Sequence, residues 1–533
     1  MLVALLALSL LTTAIPSTDC LVSIEADYRQ VQGEAWLERV DTFEIGADYM
    51  IVKVDGGLLD QLPAHTVLDR GGIDETRYLK VELLSERGRA EAERLGTILF
   101  ERGQHLVIRQ EGEVPSDVRM DGIRAIVELR EFQLSRIDSS PVPAPAFPDI
   151  VADIVAGVSA ASYQAAIQDL QDFTTRNARH ANFRNACTHA HDVFESYGIP
   201  AEVEEYVADP WYGTPFTCWN VVAEKPGVVY PDSIFIICGH LDSTAGSPSL
   251  PEAVAPGADD NGSGSAAVLE AARVMSAYDF KYTVRFICFG AEEQGLCGSA
   301  VYAQAAYAAG DLIRGVVNMD MLLYGPAGHD TIKVNYDGNS LPLAQAFNTA
   351  AASYVPGLNV RLVYAPGSGG SDHYSFWQYG YRALEGIEDY LSGNPHYHRT
   401  SDLLSNYMQY FPFGSNCARA GIATLASLAD PQPSAGVAET ESAPRMEQLT
   451  ITSISPNPAR DNVLVTLHSL QKEPISLTVF DVFGRAVRRR SVEAAASGTI
   501  GVHLGLPDLP TGIYLLRAEG GSATAATKLV ISR

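Results

Sequence analysis

The sequence predicts an α/β protein with a mostly parallel sheet flanked by helices, a small α+β domain before it and a β-sandwich after it. Three observations predict this. The middle of the 533-residue chain alternates near-continuous apolar runs with amphipathic stretches, as buried parallel strands and their crossover helices do. Two Pro-rich stretches, Ser140 to Pro148 and Pro431 to Pro444, read as semi-rigid spacers that cut the chain into three. Beyond residue 449 the pattern changes to short alternating strands separated by turn residues.

The elements follow in chain order. Met1 to Ile15 is an apolar run too short for a bilayer, which needs about 20 residues. It reads as the core of a signal peptide over 1–20, with Ala14 and Ser17 as candidate cleavage points. No Lys or Arg precedes Arg29, so the basic start of such a leader is missing. Residues 21–140 alternate apolar and polar side chains in Tyr49–Val54 and His105–Arg109, with helical periodicity over Ser85–Phe100 between them. That suggests an α+β accessory or prodomain, with no chemical constellation of its own. After a linker at 141–150, the central domain (151–430) offers strands at Ser233–Cys238, Thr283–Phe289, Arg314–Asn318 and Thr331–Asn335. Helices are expected at Ser159–Phe173, Gly264–Ala277 and Leu341–Tyr354. A second linker (431–449) leads to the sandwich at 450–533, with strands at Leu477–Phe480, Gly512–Arg517 and Thr527–Ile531.

Composition narrows the function. The chain has 38 basic and 64 acidic residues, net −26, and such a surface repels nucleic-acid backbones. With 46% apolar and 19% charged residues it has material for sizeable cores and is not a disordered chain. Residues 451–533 hold 9 basic and 6 acidic residues, so the acidic excess belongs entirely to the part before them. Seven cysteines are too few for a disulfide framework. Cys238 and Cys288 fall in strands and read as buried hydrophobes. Cys187 and Cys218 flank a loop and could pair in an exported protein, although spacing does not determine connectivity. Cys297 reads as structural.

Ligating side chains in the central domain cluster just after the strands. His240 and Asp242 follow the first, Glu292 and Glu293 the second, and Asp320 the third. Asp259 and Asp260 lie in the turn-rich Pro256-Gly-Ala-Asp-Asp-Asn-Gly-Ser-Gly264, ahead of a helix. Two later loops carry Ser371-Asp-His373 and Pro395-His-Tyr-His-Arg-Thr-Ser-Asp402. Open α/β sheets bind ligands at the carboxyl ends of their strands, so these loops can meet at one edge. Any one residue could be an ordinary cap or turn; Asp259 or Asp260 could cap the next helix. The whole set is costly to gather without a partner, and a metal centre supplies one.

These motifs, in order and spacing over roughly residues 155–430, resemble the M28 zinc peptidases, the secreted bacterial leucyl-type aminopeptidases. The resemblance implies a zinc exopeptidase fold with two Zn²⁺ ions per site. His240 and Asp320 would bind one ion, Glu293 and His398 the other, and Asp259 would bridge them. Glu292 would be the general base, and Asp242 would hold the imidazole of His240. His373, a competing ligand, reads as structural or substrate-side. Three carboxylates and a hydroxide would balance two Zn²⁺; Mn²⁺ or Co²⁺ would also suit these ligands. The implied activity is removal of N-terminal residues from peptides by a zinc-activated water. The alternatives are another M28-type exopeptidase, a carboxypeptidase or dipeptidase, and a non-catalytic binding ectodomain on the same fold. Met321, Leu322, Tyr364, Phe376, Trp377 and Tyr390 are candidate walls for the first side chain's pocket. One departure stands out: secreted members carry a Cys pair enclosing a Tyr before Ser-Asp-His, where this chain reads Tyr364-Ala-Pro-Gly-Ser-Gly-Gly370.

The tail, with Ile454-Ser-Pro-Asn-Pro-Ala459, Val479-Phe-Asp-Val-Phe-Gly-Arg485 and Leu509-Pro-Thr-Gly-Ile-Tyr-Leu515, resembles type A sorting domains of the type IX secretion system. It implies secretion machinery as a partner besides peptide substrates. The expected location is extracellular or cell-surface attached, with no nucleic acid and no integral membrane segment in the mature chain.

Overall fold

The computed structural model describes residues 19–73, 77–112, 115, 118–120, 122–133, 140–210, 214–325, 330–433, 449–469, 474–480, 485–492, 498–520 and 523–532. The expected signal peptide lies outside these residues except for Asp19 and Cys20, and the second linker is likewise mostly outside them. The chain forms two units, 1–434 and 435–533.

The centre of the first unit is an eight-stranded sheet. Its spatial order is Asn359–Tyr364, Thr331–Tyr336, Ala383–Glu388, Leu312–Asp320, Tyr230–His240, Tyr282–Phe289, Phe216–Lys225, Ala201–Ala208. The four middle strands, from Ala383–Glu388 to Tyr282–Phe289, run parallel, and so does the outer pair Thr331–Tyr336 and Asn359–Tyr364. The sheet is thus mostly parallel, as the apolar runs predict. The reason shows within one strand. Phe235 and Ile237 enter the core on one face, while Ile234, Ile236 and Cys238 enter the core on the other. Alternate side chains point to opposite faces, so a strand covered on both sides must be apolar throughout. One cover is the helix Gly262–Met275, buried at all but one of its residues. Leu341–Tyr354 and Phe411–Ala429 pack beside it in the same core.

Residues 19–133 build two four-stranded antiparallel sheets in the same unit. One is ordered Asp41–Ile45, Met50–Asp55, Asp19–Ile24, His65–Arg70. The other is ordered Gly96–Arg102, His105–Gln110, Tyr78–Leu83, Ile123–Glu128. Here the sequence expectation needs correction: the helix expected over Ser85–Phe100 covers only Glu86–Ala92. At Gly96 the backbone comes so close to Arg109 that a Cβ would stand 2.0 Å from its carbonyl oxygen. From there Thr97 to Phe100, rich in β-branched and aromatic side chains, pairs as a hairpin with His105–Gln110.

All seven cysteines are buried and free, so Cys187 and Cys218 do not form the bridge considered above. Among the described residues no single helix is long and apolar enough to cross a membrane.

The second unit has antiparallel sheets of three and four strands. They share a core that includes Val463, Val465, Leu477, Val479, Leu516 and Leu529.

Candidate metal centre

The parallel strands deliver the site. His240 and Asp320 are the last residues of Tyr230–His240 and Leu312–Asp320. Glu292 and Glu293 follow Tyr282–Phe289 after a turn in which Ala291 has φ 55°. Met321, just after Asp320, has φ 50°, and His398 itself has φ 53°. L-residues pay roughly 1–2 kcal/mol for this left-handed region. Three such residues beside one cluster show that side-chain placement there outweighs local backbone preference.

The two imidazoles converge on one carboxylate, that of Asp260. His240 Nε2 lies 3.2 Å from Asp260 Oδ1, and His398 Nε2 lies 3.2 Å from Asp260 Oδ2. Asp320 Oδ1 is 3.4 Å from His240 Nε2, and Glu293 Oε2 is 3.1 Å from His398 Nε2. Asp242 stands behind. Its backbone carbonyl is 3.1 Å from His240 Nδ1, and its carboxylate accepts from the backbone N–H of Glu292 (3.1 Å) and Glu293 (3.2 Å). One buried Asp therefore orients both an imidazole and the Glu pair.

The structure corrects the expectation for Asp259. Its carboxylate turns away from the imidazoles and accepts from the backbone N–H of Leu323 (2.8 Å) and from Asn394 Nδ2 (2.9 Å). Asp260 occupies the position between the histidines instead. The direction of each is set from outside the loop. Asp402 accepts from the backbone N–H of both residues, at 2.9 and 3.0 Å. Buried Arg176 donates to the carbonyls of Leu241, Pro256 and Gly257, which clamps the loop to the strand end that carries His240. Sequence reasoning passed over Arg176 and gave Asp402 no role. Arg176 carries no local signal, since a lone Arg before a helix looks like any other.

His373 is not in the cluster. It is fully buried, edge-on to Trp377, with Nε2 3.0 Å from the Ser368 carbonyl, and burial pushes its pKa down to about 4. Of the candidate pocket walls only Met321 borders the cluster, in an apolar group with Ile387 and Leu391. Leu322, Phe376 and Trp377 are interior residues, and Tyr364 and Tyr390 lie elsewhere.

The electrostatics show strain that a cation would relieve. Burial disfavours the charge on Glu293, and neighbouring Asp260 adds to this, so its pKa is pushed up to about 7. Burial, with help from Glu293 and Asp320, also holds the Glu292 carboxyl well above the usual range despite nearby His240. At His398 burial works against the charged form, but Glu293 and Asp260 outweigh it and raise the pKa to about 10. The donor set fits a divalent metal. Single ligand atoms of His240, Asp260 and Glu293 lie within 4.8 Å of one another, as do those of His240, Glu292 and Asp320. Buried Asp320 Oδ1 accepts no hydrogen bond. Mixed imidazole and carboxylate donors at this spacing suit zinc.

Residues 220–411 match the family described as Peptidase family M28, and residues 453–532 match the secretion system C-terminal sorting domain. A "Probable zinc metalloprotease" of Pyrenophora teres f. teres is 29% identical over 279 residues, 44% of this chain and 57% of that protein. Aminopeptidase YwaD of Bacillus subtilis is 29% identical over 198 residues, 36% of this chain and 40% of that protein. The chain thus spans about half the length of the curated relatives it matches. The fold is that of the LapA aminopeptidase of Legionella pneumophila, at TM-score 0.52 and 21% identity, over 67% of this chain and 98% of that one.

Proposed function

The chain carries a domain of peptidase family M28, and from that premise we propose that it is an exported dizinc aminopeptidase. The observation that carries the reading is the convergence of His240 and His398 on Asp260, with Glu292 alongside. One zinc would be held by His240 and Asp320, the other by Glu293 and His398, with Asp260 shared. Zinc bound there supplies Lewis acidity, polarising a carbonyl and acidifying a water.

The chain's own residues do the rest. Glu292 is placed by the Asp242 carboxylate and takes a proton from the attacking water. Glu292 then returns that proton to the departing amine. Asp242 holds His240 in the orientation that leaves Nε2 free to ligate. The sorting domain supports export to the medium or the cell surface.

The test is a hydrolysis screen of free-amine and N-blocked aminoacyl anilides, with and without chelator, run beside Glu292→Gln. Free-amine substrates should be cut, chelator should abolish the activity, and the variant should retain two zincs while kcat falls by about 10²–10⁴. Cleavage of N-blocked substrates alone, or near-normal turnover by Glu292→Gln, would overturn the reading.

A further inference from the structure

A second cavity, of about 240 Å³, lies where residues 19–133 meet the ends of Thr331–Tyr336 and Asn359–Tyr364. It shares no lining residue with the recess of the metal cluster. Sites for drug-sized ligands run to roughly 300–1,000 Å³, so this one suits a molecule of about one amino acid's bulk. Ile45, Phe132 and Trp377 give it an apolar wall. Trp377 is fixed in place, since its indole N–H donates to the Ala383 carbonyl at 2.9 Å. Two opposite charges, Arg29 and Asp337, line the same cavity. They do not pair with each other. Arg29 stands over the Tyr364 ring, 3.8 Å from its centroid, and its Nε and Nη2 donate to Asp27 at 3.0 and 2.6 Å. Among the described residues its Nη1 has no acceptor. Asp337 Oδ1 accepts from the backbone N–H of Ser340 at 2.8 Å, and burial pushes this carboxyl up to about 6. A cation beside it would offset that burial. Gly338 brings the two charges near: a Cβ there would stand 3.3 Å from Arg29 Cγ.

A molecule complementary to this cavity has an anionic end, a cationic end close to it and an apolar body. A free α-amino acid has all three. Its carboxylate can take a charge-assisted bond from a guanidinium N–H, and its ammonium one to a buried carboxylate. A fatty acid lacks the cation, a simple amine lacks the anion, and the interior of a peptide lacks both. The cavity also touches the loop that distinguishes this chain from its secreted relatives. Tyr364 and Pro366 border the cavity, and Gly370, at the far end of the same loop, borders the metal-cluster recess.

We propose that this cavity binds a free apolar α-amino acid, its carboxylate on Arg29 Nη1, its ammonium on Asp337 and its side chain against Ile45, Phe132 and Trp377. Such an amino acid is what an aminopeptidase releases, so the cavity is a product-sensing site; that link rests on the aminopeptidase reading, whereas the binding does not. The experiment is calorimetry of L-leucine with the zinc-loaded full-length chain, beside Asp337→Asn, which keeps an acceptor for the Ser340 N–H, and Arg29→Gln, at a half-exposed position. Each variant removes one charge-assisted partner and should weaken this binding by about tenfold or more. N-acetyl-L-leucine, without the ammonium, and 3-methylbutylamine, without the carboxylate, should not bind the wild-type cavity; these two arms decide the matter should melting curves show that a variant has unfolded. No binding of L-leucine up to about 10 mM overturns the proposal. So does equal binding of either analogue, or binding that survives both variants and disappears in Asp260→Ala, which belongs to the metal cluster. Hydrolysis of leucyl p-nitroanilide is followed in parallel. Binding as expected with no hydrolysis upholds the cavity and sinks the aminopeptidase reading; hydrolysis without binding does the reverse.

Discussion

At the scale of single residues, the site turns on two adjacent aspartates that do different things. Asp259 is tied to Leu323 N and Asn394, whereas Asp260 faces both imidazoles. Asp260→Ala should therefore lose bound zinc and activity together, measured by metal analysis after dialysis. Asp259→Asn keeps an acceptor for the Leu323 N–H and should keep its zinc, at a stability cost of about 1–2 kcal/mol. If Asp259→Asn empties the site while Asp260→Ala keeps its metal, the roles are the reverse. Nothing in the local sequence separates the two residues. They share a type and a loop, and the groups that orient them come from positions 176, 323, 394 and 402. The other candidate ligands were legible because each ends, or directly follows, an apolar strand or belongs to a spaced motif.

At the scale of elements, the central strands were readable because burial on both faces forces continuous apolar runs. The helix expected over Ser85–Phe100 was not, because a short amphipathic helix and an edge hairpin share the same few apolar spacings. The element joining the two parts of the first unit is Ile123–Glu128, through Arg124. Burial works against the Glu385 carboxylate, but Arg124 outweighs it and brings its pKa down to about 2. A carboxyl depressed from the usual 4.5 stabilises the folded state above that value and loses this contribution as pH falls toward 2. A depression of that size is worth at most about 3.4 kcal/mol. Urea midpoints should fall between pH 5 and 2, and Glu385→Gln should flatten that fall. Because the variant leaves Arg124 short of one partner, it should also cost about 3–5 kcal/mol at neutral pH. An unchanged pH profile in Glu385→Gln would show that the pair contributes nothing.

At the scale of the whole molecule, metal and fold are linked. Gathering Asp260, Glu293, Asp320 and Glu292 in one buried place opposes folding unless a cation binds there. Zinc at about a hundred times its Kd should add roughly 2.7 kcal/mol for each site. Chelator should therefore lower the melting temperature, and titration of the stripped chain should restore it at two zincs per chain; saturation at one would refute the paired site. The sorting domain makes a separate prediction: deleting residues 450–533 should leave the protein in the periplasm, as read by fractionation. Secretion undiminished by the deletion would remove that role.

The sequence by itself determined four strands of the central sheet, the strand ends that carry the candidate ligands, and the change of composition at the tail. These follow from periodicity and spacing, which are local. Only the tertiary structure decided which aspartate faces the imidazoles, that Cys187 and Cys218 stay apart, and that Arg124 lines the recess of the histidine and carboxylate cluster. Each of these depends on hydrogen bonds, ion pairs or packing between residues far apart in the chain. Which distant group lies within about 3 Å of a side chain is a property of the folded whole.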